Sequence, residues 1–160
     1  MKKALHLISA ALVTAVIFSS CATQMGTTGN SGITMRSLTG NWVISDIRFE
    51  GIPDGSKVTL FDEAAYPCFK GSSWNLKVNG DGSYTLQANP GCNAVTQQII
   101  WSVEGGQFQF KKMEQGVKPK DIATGYRVNI ASLEGNMMTW KAAVDVEGQQ
   151  ASIIYTLQRQ

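Results

Sequence analysis

The chain has 160 residues, with 14 Lys and Arg against 12 Asp and Glu. That length suffices for one domain with a core of its own. The near-balanced charge offers no basic stripe, which argues against a nucleic-acid partner.

Lys2 and Lys3 give a positive start, and Ala4 to Phe18 is almost wholly apolar but too short to span a bilayer comfortably. Ser19 and Ser20 are small, and Cys21 follows at once. Residues 1–20 therefore read as a secretory signal of the kind removed on export. Phe18-Ser19-Ser20-Cys21 resembles the lipobox of bacterial lipoproteins. The resemblance implies lipid attachment at Cys21, where several acyl chains anchor stably and one alone is marginal. The other reading is an ordinary cleavable signal with a chance cysteine near the cut. Without the signal, the 14 basic residues lose Lys2 and Lys3, leaving 12 against 12 acidic residues, a formally neutral chain. The expected address is the cell envelope, lipid-anchored in the outer membrane and facing the periplasm. Surface exposure is left open, although no acidic cluster follows Cys21 as it does in some surface-export signals.

With Cys21 assigned to lipid, Cys68 and Cys92 remain, an even pair in an oxidising compartment. A disulfide between them is the expectation; a metal pair and two free thiols are the alternatives. Metal has little support, because His6 is the only histidine and lies in the signal.

Residues 21–37 are rich in Gly, Thr, Ser and Asn and read as a flexible tether. From Leu38 to Gln160 the chain reads as one domain. The opening run, Leu38–Phe49, is dense in β-branched and aromatic residues and is the first strand. Gly51 to Gly71 is irregular, with a short helical turn expected at Leu60–Tyr66. Seven further strands are predicted at Ser73–Val78, Ser83–Ala88, Ala94–Val103, Gln107–Met113, Gly125–Ser132, Met137–Val146 and Gln150–Gln158. Asn79-Gly80-Asp81-Gly82, Glu104-Gly105-Gly106, Glu134-Gly135-Asn136 and Glu147-Gly148 mark the turns, since Gly and Asn accept positive φ cheaply.

Alternation places one apolar face on each strand: Trp74, Leu76 and Val78; Tyr84 and Leu86; Val95, Ile99, Trp101 and Val103, with Gln97 the exception; Phe108 and Phe110. The last three strands give Tyr126, Val128 and Ile130; Met138, Trp140, Ala142 and Val144; Ile153, Tyr155 and Leu157. One apolar face per strand means one shared interior and a wet exterior. The predicted fold is all-β: an eight-stranded antiparallel up-and-down barrel, which leaves no sheet edge exposed.

Three features make the chain resemble the lipocalin-like lipoproteins common in Bacteroidetes. Gly40-Asn41-Trp42 matches the family's Gly-x-Trp at the head of strand one. Cys68-Phe69-Lys70-Gly71-Ser72-Ser73-Trp74-Asn75-Leu76 looks like a stretch of that bacterial subgroup, with Cys92 as the partner cysteine. Arg159 ends the last strand, and the resemblance implies that it packs across Trp42 at the closed end of the barrel. Parity independently points Arg159 inward with Ile153, Tyr155 and Leu157; a frayed, solvated terminal arginine is the other reading. The chain departs from many lipocalins in its short strands and in lacking a clear helix after the last one.

No catalytic constellation stands out. A Ser-His-Asp or Cys-His arrangement needs a histidine beyond the signal, and there is none. Asp62-Glu63 reads as a solvated turn and Lys111-Lys112 as an exposed strand end. No cofactor or metal is expected. The candidate ligand-lining residues are the inward aromatics Trp74, Tyr84, Trp101, Phe108, Phe110, Tyr126, Trp140 and Tyr155. They either fill an eight-stranded barrel as a plain core or line a cavity for an apolar small molecule. The resemblance tips this toward a non-enzymatic binder of a small hydrophobic molecule. The alternative is a filled barrel serving as a structural or protein-interaction module for an envelope partner, with Gly51–Gly71 as its contact surface.

Overall fold

The computed structural model describes residues 32–160; the signal, Cys21 and most of the tether lie outside them. A four-residue helix, α1 (Met35–Leu38), leads into β1 (Gly40–Glu50). Between β1 and the next barrel strand lie β2 (Thr59–Leu60), β3 (Ala64–Ala65) and α2 (Tyr66–Phe69). The remaining barrel strands are β4 (Ser73–Leu76), β5 (Asp81–Leu86), β6 (Val95–Glu104), β7 (Gln107–Lys112), β8 (Tyr126–Glu134), β9 (Met137–Val146) and β10 (Gln149–Arg159). Eight of the ten strands close in the order β1-β10-β9-β8-β7-β6-β5-β4, with β4 returning to β1. Every pairing is antiparallel and, apart from the closing β1–β10 pair, joins barrel strands consecutive in the chain, so this is an up-and-down barrel. Among the described residues no helix is long and apolar enough to cross a membrane.

Alternation sets the interior. Trp74, Leu76, Tyr84, Leu86, Ile99, Trp101, Phe108, Phe110, Val128, Ile130, Met138, Trp140, Ile153, Tyr155 and Leu157 are all buried in one cluster. Two bulges interrupt the rule. In β1 the register shifts between Ile44 and Asp46, so Trp42 and Ile44 point in and Ile47 follows three residues later. In β8 the shift between Ile130 and Ser132 does the same, leaving Leu133 against the core. An extra residue on one strand flips the parity of all that follows.

Two local expectations are corrected. The helical turn after strand one falls at Tyr66–Phe69, where Pro67 supplies a pre-set φ at the helix start. Leu60–Tyr66, the expected site, instead holds the β2–β3 hairpin, with Thr59 opposite Ala65 and Leu60 opposite Ala64. Strand β4 ends at Leu76, and Val78 is 57% exposed rather than inward. The chain has already turned there: Gly80 N–H donates to the Lys77 carbonyl and Asn79 Nδ2 to Asp81.

The closed end is locked by one residue from the first barrel strand and one from the last. Arg159 lies over the Trp42 ring at 4.3 Å and donates to the Ser37 and Thr39 carbonyls. Trp42 Nε1 donates to the Leu38 carbonyl at 2.8 Å, so the last turn of α1 caps the barrel floor. Gly40 stands at φ +134, and a Cβ there would meet Arg159 Nη1 at 2.8 Å. The backbone conformation favours glycine, and a side chain there would push the Arg159 guanidinium aside. The described chain thus enters the barrel at its closed end.

Candidate binding site at the open end of the barrel

At the other end the barrel mouth is covered by the segment between β1 and β4. Its C-terminal part is tied down three ways. Gly71 N–H donates to the Ile44 carbonyl and Ile44 N–H to that of Ser72, which joins this stretch to β1 beside its bulge. Tyr66 meets Phe49 edge-on at 4.8 Å. Cys68 in α2 is disulfide-bonded to Cys92 in the loop after β5.

The β2–β3 hairpin dips from this segment into the mouth. Its turn begins Leu60-Phe61-Asp62-Glu63, closed by Glu63 N–H donating to the Leu60 carbonyl. Phe61 and Asp62 have φ of 51° and 49°. Consecutive left-handed residues are the province of Asn and Gly, and a bulky side chain there costs on the order of 1–3 kcal/mol. The compensation is visible in the ring contacts. Phe61 is 8% exposed. It stacks on Tyr155 at 5.8 Å and meets Phe69, Trp74, Phe110 and Tyr126 edge-on at 5.1–6.0 Å.

Below Phe61 the inward aromatics pack on one another. Phe108 stacks on Trp140 at 4.5 Å, Trp74 meets Trp140 edge-on at 5.3 Å, and Phe110 stacks on Tyr126 at 5.0 Å. Trp101 lies against Phe108 at 5.7 Å, and Tyr84 against Trp74 at 4.8 Å. Such offset and edge-on geometries suit the ring quadrupoles. The four indole N–H groups also find internal partners. Trp42 donates to Leu38, Trp74 to Ser72 Oγ, Trp101 to the Asp81 carbonyl and Trp140 to Met138 Sδ. All eight candidate ligand-lining residues thus belong to one aromatic assembly, and its topmost ring comes from a loop.

A polar ring surrounds that loop residue. Glu63 Oε2 accepts from Tyr84 Oη and from Lys112 Nζ, both at 3.0 Å. Lys112 Nζ also donates to the Phe61 carbonyl at 3.0 Å and sits 5.5 Å from the Tyr126 ring centre. Tyr126 Oη donates to Asp62 Oδ2 at 3.2 Å. The side chains of Lys112 and Glu63 are 22% and 20% exposed, so this is a half-buried ion pair. Asp62 is exposed in a turn, as expected, but Glu63 is half-buried and Lys112 is no exposed strand end; those two expectations are overturned. Lys111, on the outer face, is occupied as well, donating to the carbonyls of Pro119 and Ile122.

The electrostatics follow from this packing. Burial pushes the Tyr84 phenol well above its ordinary value, and the Glu63 carboxylate adds to the rise. Burial alone raises Tyr155. Tyr126 is raised by burial and by Asp62, against an opposing pull from Lys112. Burial works to lower Lys112, but its hydrogen bond and attraction to Glu63 outweigh that and raise it. At neutral pH the mouth thus holds neutral phenols and a charged ammonium.

Strand parity carried the signal that was missed. Lys112 continues the inward series Phe108, Phe110, Lys112, just as Gln97 sits inward between Val95 and Ile99. Gln97 Nε2 donates to the Gln98 and Met113 carbonyls near the same rim. Nothing in the sequence marked Phe61 as a barrel residue. A depression of about 670 Å³ lies outside the barrel mouth, between the β6–β8 surface and the loop around Pro119, with Lys120, Ala123 and Arg127 along it, and is open to solvent. Among the described residues no group of three or more His, Cys, Asp or Glu could hold a metal ion.

No family model matches the chain, and no curated protein does. Among solved structures, a lipocalin-like protein from Bacteroides uniformis is similar at 13% identity, with a TM-score of 0.47 over 78% of this chain and 99% of that one. An uncharacterized protein from Bacteroides eggerthii is similar at 10% identity, with a TM-score of 0.45 over 76% of this chain and 98% of that one.

Proposed function

We propose that this is a lipid-anchored lipoprotein of the cell envelope that binds a small hydrophobic molecule, without catalysing its conversion, at the open end of its barrel. Acyl chains on Cys21 would hold it in the outer membrane, facing the periplasm. The described chain joins the barrel at the closed end, so the mouth lies opposite the end at which it enters. The observation that carries the binding reading is Phe61. An eight-stranded barrel with an aromatic interior is topped by a loop side chain in a strained backbone, not by a residue of its own wall. A site that takes one apolar ring from a loop is shaped to take one from a ligand.

A second reading has an observation of its own. The rings already pack closely, as a scaffold's would, and Gly51–Gly71 would then be a surface for an envelope protein partner. One experiment separates the two and tests the anchor. The full chain carrying Cys21→Ser is fractionated, then screened by thermal shift against envelope lipids and apolar dyes. Release from membranes supports acylation at Cys21, and continued membrane association contradicts it. A ligand-dependent rise in Tm, expected by mass action, supports binding. A flat screen with an unchanged aromatic core supports the scaffold.

A further inference from the structure

We propose that the Phe61–Glu63 turn is an intramolecular stand-in for the ligand, and that the ligand is an apolar carboxylate whose anionic head takes the place of the Glu63 carboxylate between Tyr84 and Lys112. This rests on the small-molecule reading and adds the chemical class.

Three observations carry it. First, the turn presents two ligand-like groups to the barrel: an apolar ring among Trp74, Phe110, Tyr126 and Tyr155, and a carboxylate on a phenol and an ammonium. Apart from Phe69 of α2, the receiving groups belong to the barrel wall, on β4, β5, β7, β8 and β10, and the inserted groups belong to the hairpin turn. Second, the hairpin is separable from that wall. β2 and β3 pair only with each other, as a two-stranded sheet apart from the barrel. Withdrawing it breaks no ladder hydrogen bond of the barrel. The disulfide at Cys68 keeps α2 in place behind it, so the movement is confined to the hairpin and the chain before it. Third, the vacated mouth would select for charge. Lys112 is fixed on β7 at inward parity, and without Glu63 its ammonium would face an apolar interior with no counter-ion. Burying an unpaired charge is costly, so a neutral ligand would leave that cost unmet and an anionic one would remove it. A cationic ligand would meet repulsion.

The test titrates the Cys21→Ser protein with cis-parinarate, a fluorescent polyene carboxylate, and with its neutral methyl ester. The carboxylate should bind at least about tenfold more tightly than the ester, in line with one charge-assisted hydrogen-bonded pair. Glu63→Gln weakens the turn's own hold on Tyr84 and Lys112 and should tighten both probes several-fold, the acid keeping its preference over the ester. Lys112→Met should abolish the preference. Phe61→Ala should tighten both probes. Equal binding of acid and ester, unaffected by Lys112→Met, overturns the carboxylate class while the small-molecule reading stands. Failure of both probes to bind any variant, Phe61→Ala included, overturns the small-molecule reading itself. Lys112→Met keeps the Phe61 ring and decides the class even where Phe61→Ala does not fold.

Discussion

Phe61 is a core residue mounted on a left-handed backbone, and these two properties make opposing demands on a substitution. Phe61→Ala removes a ring that is 8% exposed and touches five others. Phe→Ala in a core costs about 3–5 kcal/mol, and the lower half of that range applies at the barrel mouth, where the turn can settle inward. Phe61→Gly loses the same ring but relieves the strain at φ 51°. A left-handed conformation costs an L-residue about 1–2 kcal/mol, while glycine's extra freedom in the unfolded chain returns about 0.5–1 kcal/mol of that. Glycine should therefore be more stable than alanine here by about 0.5–1 kcal/mol, the reverse of their order in a regular strand. Guanidinium denaturation followed by circular dichroism reads both differences. A loss below about 1 kcal/mol in both variants would show that the ring is not part of the core. Alanine more stable than glycine would show that the backbone is not left-handed.

Arg159→Ala should cost about 2–4 kcal/mol, from two charge-assisted bonds to Ser37 and Thr39 and the contact over Trp42. Arg159→Lys should recover only part of it, because one ammonium cannot reproduce the planar fork; equal stability of Arg and Lys by denaturation would contradict the lock. Replacing Cys68 and Cys92 with Ala opens a loop with a sequence separation of 24 and should cost about 3 kcal/mol in the same assay. An alkaline limit follows from Tyr84, Tyr126 and Tyr155, each raised in the folded state above the ordinary 10.0. A raised folded value means that the stabilisation is complete below pH 10 and is lost as pH climbs from there toward the folded values. Stability should be level from neutral pH to about 10, then fall by up to about 1.4 kcal/mol per pH unit for each tyrosine; Tyr84→Phe should make the fall shallower, and an unchanged slope would contradict the role of its burial.

The barrel was legible because period-two alternation survives through most of its strands. Trp74 and Leu76, Tyr84 and Leu86, and Met138 and Trp140 all land where parity puts them. Parity says less across a bulge, so the mixed run Val43, Ile44, Ile47 and Phe49 makes sense only once the shift after Ile44 is known. Val78 continued the alternation but not the strand, since the Asn79-Gly80 turn starts beforehand. The mouth was hidden for a different reason. A run such as Leu60–Tyr66 has helix-forming Glu and Ala in it, and tertiary burial of Phe61 overrides that local preference. Glu63 and Lys112 look like surface charges because charged residues usually are. Only the long-range pairing of a loop with β5 and β7 turns them into a half-buried pair.

The central claim is that a ligand takes the seat Phe61 now fills, and a fluorine label on that ring reports it directly. With 4-fluorophenylalanine at position 61 of the Cys21→Ser protein, the fluorine resonance of the free protein should carry the shift of a ring packed among aromatics. Saturation with cis-parinarate should move it to the position of a solvent-exposed fluorophenylalanine, in proportion to the fraction bound. A resonance that stays in its packed position while the probe binds would place the ligand elsewhere and contradict the account.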